Sequence, residues 1–177
     1  KKNNKIRIIK NKKNYGQSFA IYEGITNSPD DIIITIDGDG QNNPKDINKL
    51  LELYLENENI FLIGGIRANR KDKLNKIIAS KVANYIRNLI LQDNCLDTGC
   101  SLKIFDKSTF LNFPYFDGIH RFLPALYKVY DKKTIFVNVD HRYRKYGKSK
   151  YGNLGRLIKG IRDMIKVKKI MKNQLSK

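Results

Sequence analysis

Residues Ile32 to Pro44 limit this chain more than any other stretch, because they join a strand that demands burial to a loop of carboxylates, glycines and amides. Ile32–Ile36 is a short β-branched run, the pattern of a strand buried on both faces in a parallel sheet. It stops abruptly at Asp37-Gly38-Asp39-Gly40-Gln41. If the backbone stays extended there, period-two alternation places Asp37, Asp39 and Gln41 on one side. Two carboxylates and an amide oxygen form a hard-oxygen donor set suited to Mg²⁺ or Mn²⁺, and open α/β sheets bind ligands at that carboxyl edge. Asn43 then reads as an N-cap, Pro44 as the first helical residue and Asp46 as an acid at the helix's positive end.

Other readings of the loop compete with a metal site. Asp-Gly pairs make hairpin turns, but a capped helix follows where a second strand is needed. An EF-hand requires Gly at position 42 and Glu at position 48, and both are Asn. A carboxylate pair that only solvates a strand end stays open at this point.

The rest of the chain supplies the frame. Its 177 residues suit one domain with a proper core. No apolar run approaches the ~20 residues of a membrane-spanning helix. Cys95, Cys100, His120 and His141 support neither a zinc site nor a disulfide framework, which fits a reducing compartment. The net charge of +18 belongs to the ends. Residues 1–13 hold seven bases and no acid, residues 142–177 hold thirteen bases and one acid, and the middle balances at −1. That argues against a basic nucleic-acid-binding face throughout and suits ends that lie beside an anionic surface such as lipid phosphates.

In chain order, Ile6–Ile9 reads as a strand, and the loop 14–18 opens a helix over Phe19–Gly24. Lys45–Leu55 is an amphipathic helix, and Ile60–Ile66 is a buried strand that delivers Gly64, Gly65 and Arg67. The next helix has apolar positions 74, 77, 78, 82, 85, 86 and 89, with Lys76 and Ser80 one turn apart and able to share a ligand. Asp97 precedes Thr98-Gly99-Cys100, where an Asx-type turn and a partner-binding role both stay open. His120 reads as a core or loop histidine, with a catalytic role as the alternative. Ile135–Asp140 is a strand that leads into a basic run, His141 to Tyr151, in which Arg144, Ser149 and Lys150 are suited to phosphate oxygens. Asn153–Met171 is an amphipathic helix with Leu154, Leu157, Ile158, Ile161, Met164 and Ile165 on one side and bases on the other, fit to cap the domain or to lie in a membrane interface.

The strand followed by Asp-Gly-Asp-Gly-Gln-Asn-x-Pro resembles the DxD region of family 2, GT-A-fold glycosyltransferases, above all the dolichol- or polyprenyl-phosphate sugar synthases. Further matches follow in order: Gly-x-Arg at 65–67, a base-x-x-x-Ser helix at 76–80, the stretch Asp97–Lys103, which resembles the family's Asp-x-x-Gly segment, the Phe116–Pro124 segment of bacterial members, and Arg-x-x-Gly-x-Ser-Lys at 144–150. The resemblance implies an α/β fold: a GT-A-like, mostly parallel sheet with helices on both faces. It implies a glycosyltransferase domain over residues 1–152 and a basic amphipathic helix and tail over 153–177. The family's opening strand, Asn-Glu loop and Asp-Asp-x-Ser strand end, which hold base and ribose, have no counterpart here, so the chain is expected to start inside that fold and to be inactive alone.

By the same resemblance Asp39 and Asp97 are the catalytic carboxylates, and Asp37, Asp39 and Gln41 hold Mg²⁺ or Mn²⁺. Arg144, Ser149 and Lys150 close over the donor diphosphate, while Arg67, Lys76 and Ser80 hold the acceptor phosphate. The implied reaction moves a sugar, with inversion, from a nucleotide-diphosphate sugar to a polyprenyl phosphate at the cytoplasmic face of the membrane, with peripheral membrane contact and no nucleic acid. A non-catalytic fragment that binds lipid phosphate and a basic nucleic-acid-binding protein are the alternative classes.

Overall fold

The computed structural model describes residues 6–68, 70, 74–143 and 153–175. Its elements run α1 (Gln17–Thr26), β1 (Ile32–Thr35), α2 (Lys45–Leu55), β2 (Leu62–Arg67), α3 (Leu74–Leu91), β3 (Lys103–Asp106), α4 (Lys107–Leu111), a 3₁₀ turn at Ile119–Arg121, α5 (Leu123–Val129), β4 (Thr134–Val139) and α6 (Asn153–Leu175). The four strands form one sheet in the order β1-β3-β2-β4. β2 and β4 are parallel, and β3 is antiparallel to both β1 and β2. Three strands therefore share a direction and β3 alone opposes them, so the α/β expectation holds with one reversed strand.

Side chains alternate between two apolar layers. On one face Phe105 of β3 and Leu62 of β2 meet Ile25 of α1, Phe110 of α4, Leu126 and Tyr127 of α5 and Val167 of α6. On the other, Ile63, Leu102, Ile104 and Val139 pack under Leu50 of α2. A fully buried aliphatic or aromatic side chain contributes about 1.5–3 kcal/mol, so these layers dominate the stability. Gly65 is required by this packing. A Cβ there would stand 2.9 Å from both Cys100 Sγ and Val139 Cγ2.

Four expectations are corrected. Ile6–Ile9 is not a strand, and Ile6 and Ile8 lie exposed without regular structure. β1 is not buried on both faces: it stands at the sheet edge, paired with β3 alone, and only Ile33 is buried along it. In α6 the inward residues include Asp163 and Val167, while Ile161 and Ile165 are exposed. α3 is turned inside out. Its buried positions before Leu91 are the polar Asn84 and Arg87, and Leu74, Ile78, Val82, Tyr85, Ile86 and Leu89 face outward. Arg87 donates to Asn84 Oδ1 (2.9 Å), to Asp93 Oδ1 (3.1 Å) and to the Cys95 carbonyl. Periodicity reports that a helix has two faces, but a buried hydrogen-bonded network decides which one points inward.

Candidate active site

The site grows from the end of β1. The backbone does not stay extended past Thr35. It turns at Gly38–Asp39, with Gly40 at φ +78°, a value glycine adopts without strain. The Asx-type bond from Gln41 N to Asp39 Oδ1 (3.0 Å) stabilises that turn, which overrides the period-two alternation. Three elements brace it. Gln17 at the start of α1 donates to Asp37 Oδ1 (3.0 Å). Ser101, just before β3, accepts from Asp37 N (3.2 Å) and donates to Asn42 Oδ1 (2.7 Å). Residues 140–142, just after β4, pair with 41–42 through the Arg142 N to Gln41 O bond (2.9 Å) and the Asn42–His141 bridge.

Asn43 caps α2 as expected, its Oδ1 accepting from Lys45 N (3.2 Å), and Pro44 is helical. Asp46 has a more specific role than a dipole partner: it accepts from Asp140 N (2.8 Å) and ties α2 to the segment behind the turn.

Asp37, Asp39 and Gln41 all lie half-buried, within reach of a ligand. Among the described residues no three His, Cys, Asp or Glu side chains gather as a metal cage. Two carboxylates and an amide oxygen on one turn are donors of the kind Mg²⁺ or Mn²⁺ takes, since such ions bind one or two carboxylates and complete their shell with water and substrate phosphate. The donor set on the turn therefore fits the implied ion. His141, which the sequence did not single out, is buried behind it, with Nε2 3.3 Å from Gln41 Nε2. The amide can donate only to a bare Nε2, which makes His141 a brace for the Gln41 side chain.

A second unit joins two residues that the sequence reading kept apart. Arg67, the last residue of β2, forks onto Asp97: Nε to Oδ2 and Nη2 to Oδ1 at 2.7 Å each, with Arg67 N adding a bond to Oδ2 (3.1 Å). Both side chains are largely buried, at 14% and 6% exposed. Burial alone raises the Asp97 carboxyl, but Arg67 outweighs it and holds the group below the usual range. Asp97 makes no Asx-type bond; of the open readings, a basic partner is the one the structure contains. Gly99 permits the pairing, because a Cβ there would sit 2.7 Å from Arg67 Nη2.

Ser80 is half-buried and accepts weakly from Asn84 Nδ2 (3.4 Å). Lys76 lies on α3, one turn before Ser80, and its side chain is outside the described set. Arg144, Ser149 and Lys150 lie outside the described residues. Lys103, in the same segment as Asp97, is buried and donates to the Cys100 carbonyl.

The start of α1 also holds a cluster that the sequence reading left unassigned. Buried Ser18 of α1 contacts Asp117 Oδ1 (3.0 Å), Gly118 N (2.7 Å) and His120 Nδ1 (2.9 Å). Burial, helped by Lys103 and Arg121, pushes the His120 imidazole down to about 3. The unfolded chain thus takes up a proton that the folded one refuses, so stability is lost as pH falls below about 6.5, by up to about 1.4 kcal/mol per unit. Chemical denaturation between pH 7 and 5 reads this slope, and His120→Gln flattens it.

Comparison with known proteins places this geometry. The sequence profile of Glycosyl transferase family 2 matches residues 1–113, more than half of the chain. The chain belongs to glycosyltransferase family 2. Dodecaprenyl-phosphate galacturonate synthase of Rhizobium johnstonii is 37% identical over 165 residues, covering 92% of this chain and 48% of that protein. Undecaprenyl-phosphate 4-deoxy-4-formamido-L-arabinose transferase of Pectobacterium carotovorum is 33% identical over 149 residues, covering 84% and 45%. The family 2 chain thus spans about half the length of the curated relatives it matches. In fold it is similar to glucosyl-3-phosphoglycerate synthase of Mycobacterium tuberculosis, solved with Mn²⁺, UDP-glucose and phosphoglyceric acid, at a TM-score of 0.64 and 16% identity over 88% of this chain and 54% of that one. The shared fold is of the GT-A type.

Proposed function

We propose that this chain carries the metal-diphosphate edge and the acceptor side of an enzyme that moves a sugar from a nucleotide-diphosphate sugar to a polyprenyl phosphate at the cytoplasmic membrane face. The observation that carries the reading is the Asp37–Gln41 turn, braced from three sides at the strand end of a family 2 domain. Asp39, with Asp37 and Gln41, would hold Mg²⁺ or Mn²⁺, an ion whose charge neutralises the leaving diphosphate. Arg144, Ser149 and Lys150 donate to the same diphosphate. Arg67, preset by Asp97, holds the acceptor phosphate with Lys76 and Ser80. An acceptor phosphate oxygen attacks the anomeric carbon as its bond to the diphosphate breaks, the nucleoside diphosphate leaves with the electron pair, and the carbon inverts. The attacking oxygen is already ionised near pH 7, so no general base is needed. With diphosphate and metal contacts but no assigned base contacts, residues 1–177 are expected to bind UDP and GDP alike and to show no turnover alone. Calorimetry with both nucleotides and radiolabelled transfer to a short polyprenyl phosphate check this.

Brace and metal are coupled in this reading. His141→Ala is expected to weaken Mn²⁺ binding roughly 10- to 100-fold, the usual effect of losing a residue that orients a ligand. Electron paramagnetic resonance of free Mn²⁺ reads the change, and an unchanged affinity removes His141 from the site.

The membrane side rests on α3. Its outward apolar stripe continues onto α6 through a groove of about 400 Å³ between Ile90, Ile161 and Ile165, bordered by Lys168 and Lys172. Apolar side chains rimmed by lysine suit the surface of an anionic bilayer, where a polyprenyl phosphate presents its head group. Ile78→Glu/Val82→Glu/Leu89→Glu is expected to reduce flotation with phosphatidylglycerol vesicles more than 10-fold while leaving thermal unfolding intact, since all three residues are exposed. Flotation equal to that of the unaltered chain places the membrane contact elsewhere.

A further inference from the structure

The Ser18 cluster determines where a proton sits. The Ser18 hydroxyl has one hydrogen and lies within bonding distance of three groups. Lys159 Nζ, 2.6 Å from Asp117 Oδ2, holds the Asp117 carboxyl low, so Asp117 is ionised and only accepts. The hydroxyl hydrogen therefore goes to Asp117 Oδ1. Gly118 N donates to the Ser18 oxygen, and the remaining contact, to His120 Nδ1, is favourable only if Nδ1 carries a hydrogen; a bare Nδ1 would face an oxygen lone pair. The ring is neutral, so Nε2 is bare, and no other hydrogen bond of His120 is made among the described residues.

The ring is tied through Ser18 to the start of α1, the same helix end that holds the proposed metal turn. Ser18 follows Gln17, whose amide holds Asp37 of the proposed metal turn. The charge of Lys103, whose ammonium is bonded to the Cys100 carbonyl, depresses the imidazole together with Arg121 and against Asp117. His120 is half-buried, so its ring is within reach of a ligand. A bare imidazole nitrogen repels phosphate oxygens and accepts from hydroxyls. In a nucleotide-diphosphate sugar bound with its diphosphate at the Asp37–Gln41 turn, hydroxyls flank that turn on the ribose and on the sugar, and UDP alone, which keeps the ribose and lacks the sugar, separates the two.

We propose that His120 is a specificity-determining acceptor for a hydroxyl of the transferred sugar, held as the Nδ1–H tautomer by the Asp117–Ser18 pair. This rests on the donor reading above. Its recognition part asks of the site a group that accepts but never donates, so a sugar carrying hydrogen or a methoxy group in place of that hydroxyl loses the contact.

The test is long-range ¹H–¹⁵N NMR of the ¹⁵N-labelled chain, in which only His120 and His141 contribute and His120→Gln assigns the signals. The expected spectrum shows His120 protonated on Nδ1 and unchanged from pH 8 to 5, with Ser18→Ala giving mixed tautomers and a titrating ring. Addition of diamagnetic Mg²⁺ with UDP-glucose, UDP-galactose or UDP-glucuronate is expected to move Nε2 toward the protonated-nitrogen range for at least one sugar, while Mg²⁺ with UDP leaves it in place. His120→Phe, which keeps an aromatic ring and loses both nitrogens, is expected to bind that nucleotide sugar about 10-fold more weakly and UDP unchanged. An Nε2–H tautomer overturns the proposal, as does an Nε2 signal that all three sugars leave unmoved while Mg²⁺·UDP binds; the donor reading survives both. Failure of Mg²⁺·UDP to bind at all sinks the donor reading and this proposal with it.

Discussion

Arg67→Ala is expected to cost about 3–5 kcal/mol, because it leaves the Asp97 carboxylate buried with its charge uncompensated. Thermal unfolding should fall by roughly 10 °C for a chain of this size. The accompanying pH dependence has a defined sign. Asp97 titrates below its unfolded value, so the pair's contribution is present above the ordinary carboxylate range near 4 and is lost as pH falls through the lower folded value. Asp97→Asn in the Arg67→Ala background should recover part of the loss, since it removes the stranded charge. Arg67→Lys keeps a cation but forfeits the two-pronged geometry, so it should fall between the two. Denaturant midpoints of the unaltered chain, Arg67→Ala, Asp97→Asn and the double variant form the cycle, with Arg67→Lys beside it. A loss under about 1 kcal/mol, the range of exposed pairs, would contradict the burial that defines this unit.

Asp39→Asn should abolish Mn²⁺-dependent nucleotide binding while leaving the turn in place. The amide oxygen can still accept from Gln41 N, so the Asx-type bond survives and only the charge disappears. Residues one shell out from a metal are worth 10- to 100-fold in affinity, and a direct carboxylate ligand is expected to exceed that, on the order of 100-fold or more. Calorimetry of UDP into chain plus Mn²⁺ measures it directly, with Asp37→Asn as the milder partner. Asp37 is also held by Gln17 Nε2, so its variant tests whether α1 orients the second carboxylate.

Local chemistry made much of this legible. α2 begins and ends where its cap and apolar spacing place it, and β2 delivers Arg67 at its last position. The Asp-Gly-Asp-Gly run located the site but not its shape, because alternation describes extended backbone and the glycines and an Asx-type bond impose a turn. What stayed hidden is long-range. Asp97 meets Arg67 across 30 residues and His120 meets Ser18 across 102, and no local pattern encodes either. The inverted α3 is the instructive miss. Its apolar period is as regular as that of a core helix, and only the network of Arg87 with Asn84, Asp93 and the Cys95 carbonyl turns that face outward. β1 misled for a related reason: a β-branched run records strand preference, whereas its place at the edge depends on which strands pair with it.

The claim at the centre of this account is that the Asp37–Gln41 turn is a metal-diphosphate site. Anomalous X-ray diffraction from crystals of the chain grown with Mn²⁺ and UDP tests it most directly. The account predicts a manganese peak roughly 2.0–2.3 Å from an Asp39 carboxylate oxygen, with Asp37 or Gln41 in its shell and the UDP diphosphate completing it. Manganese bound away from this turn, or UDP ordered with no metal between its phosphates and Asp39, would contradict it.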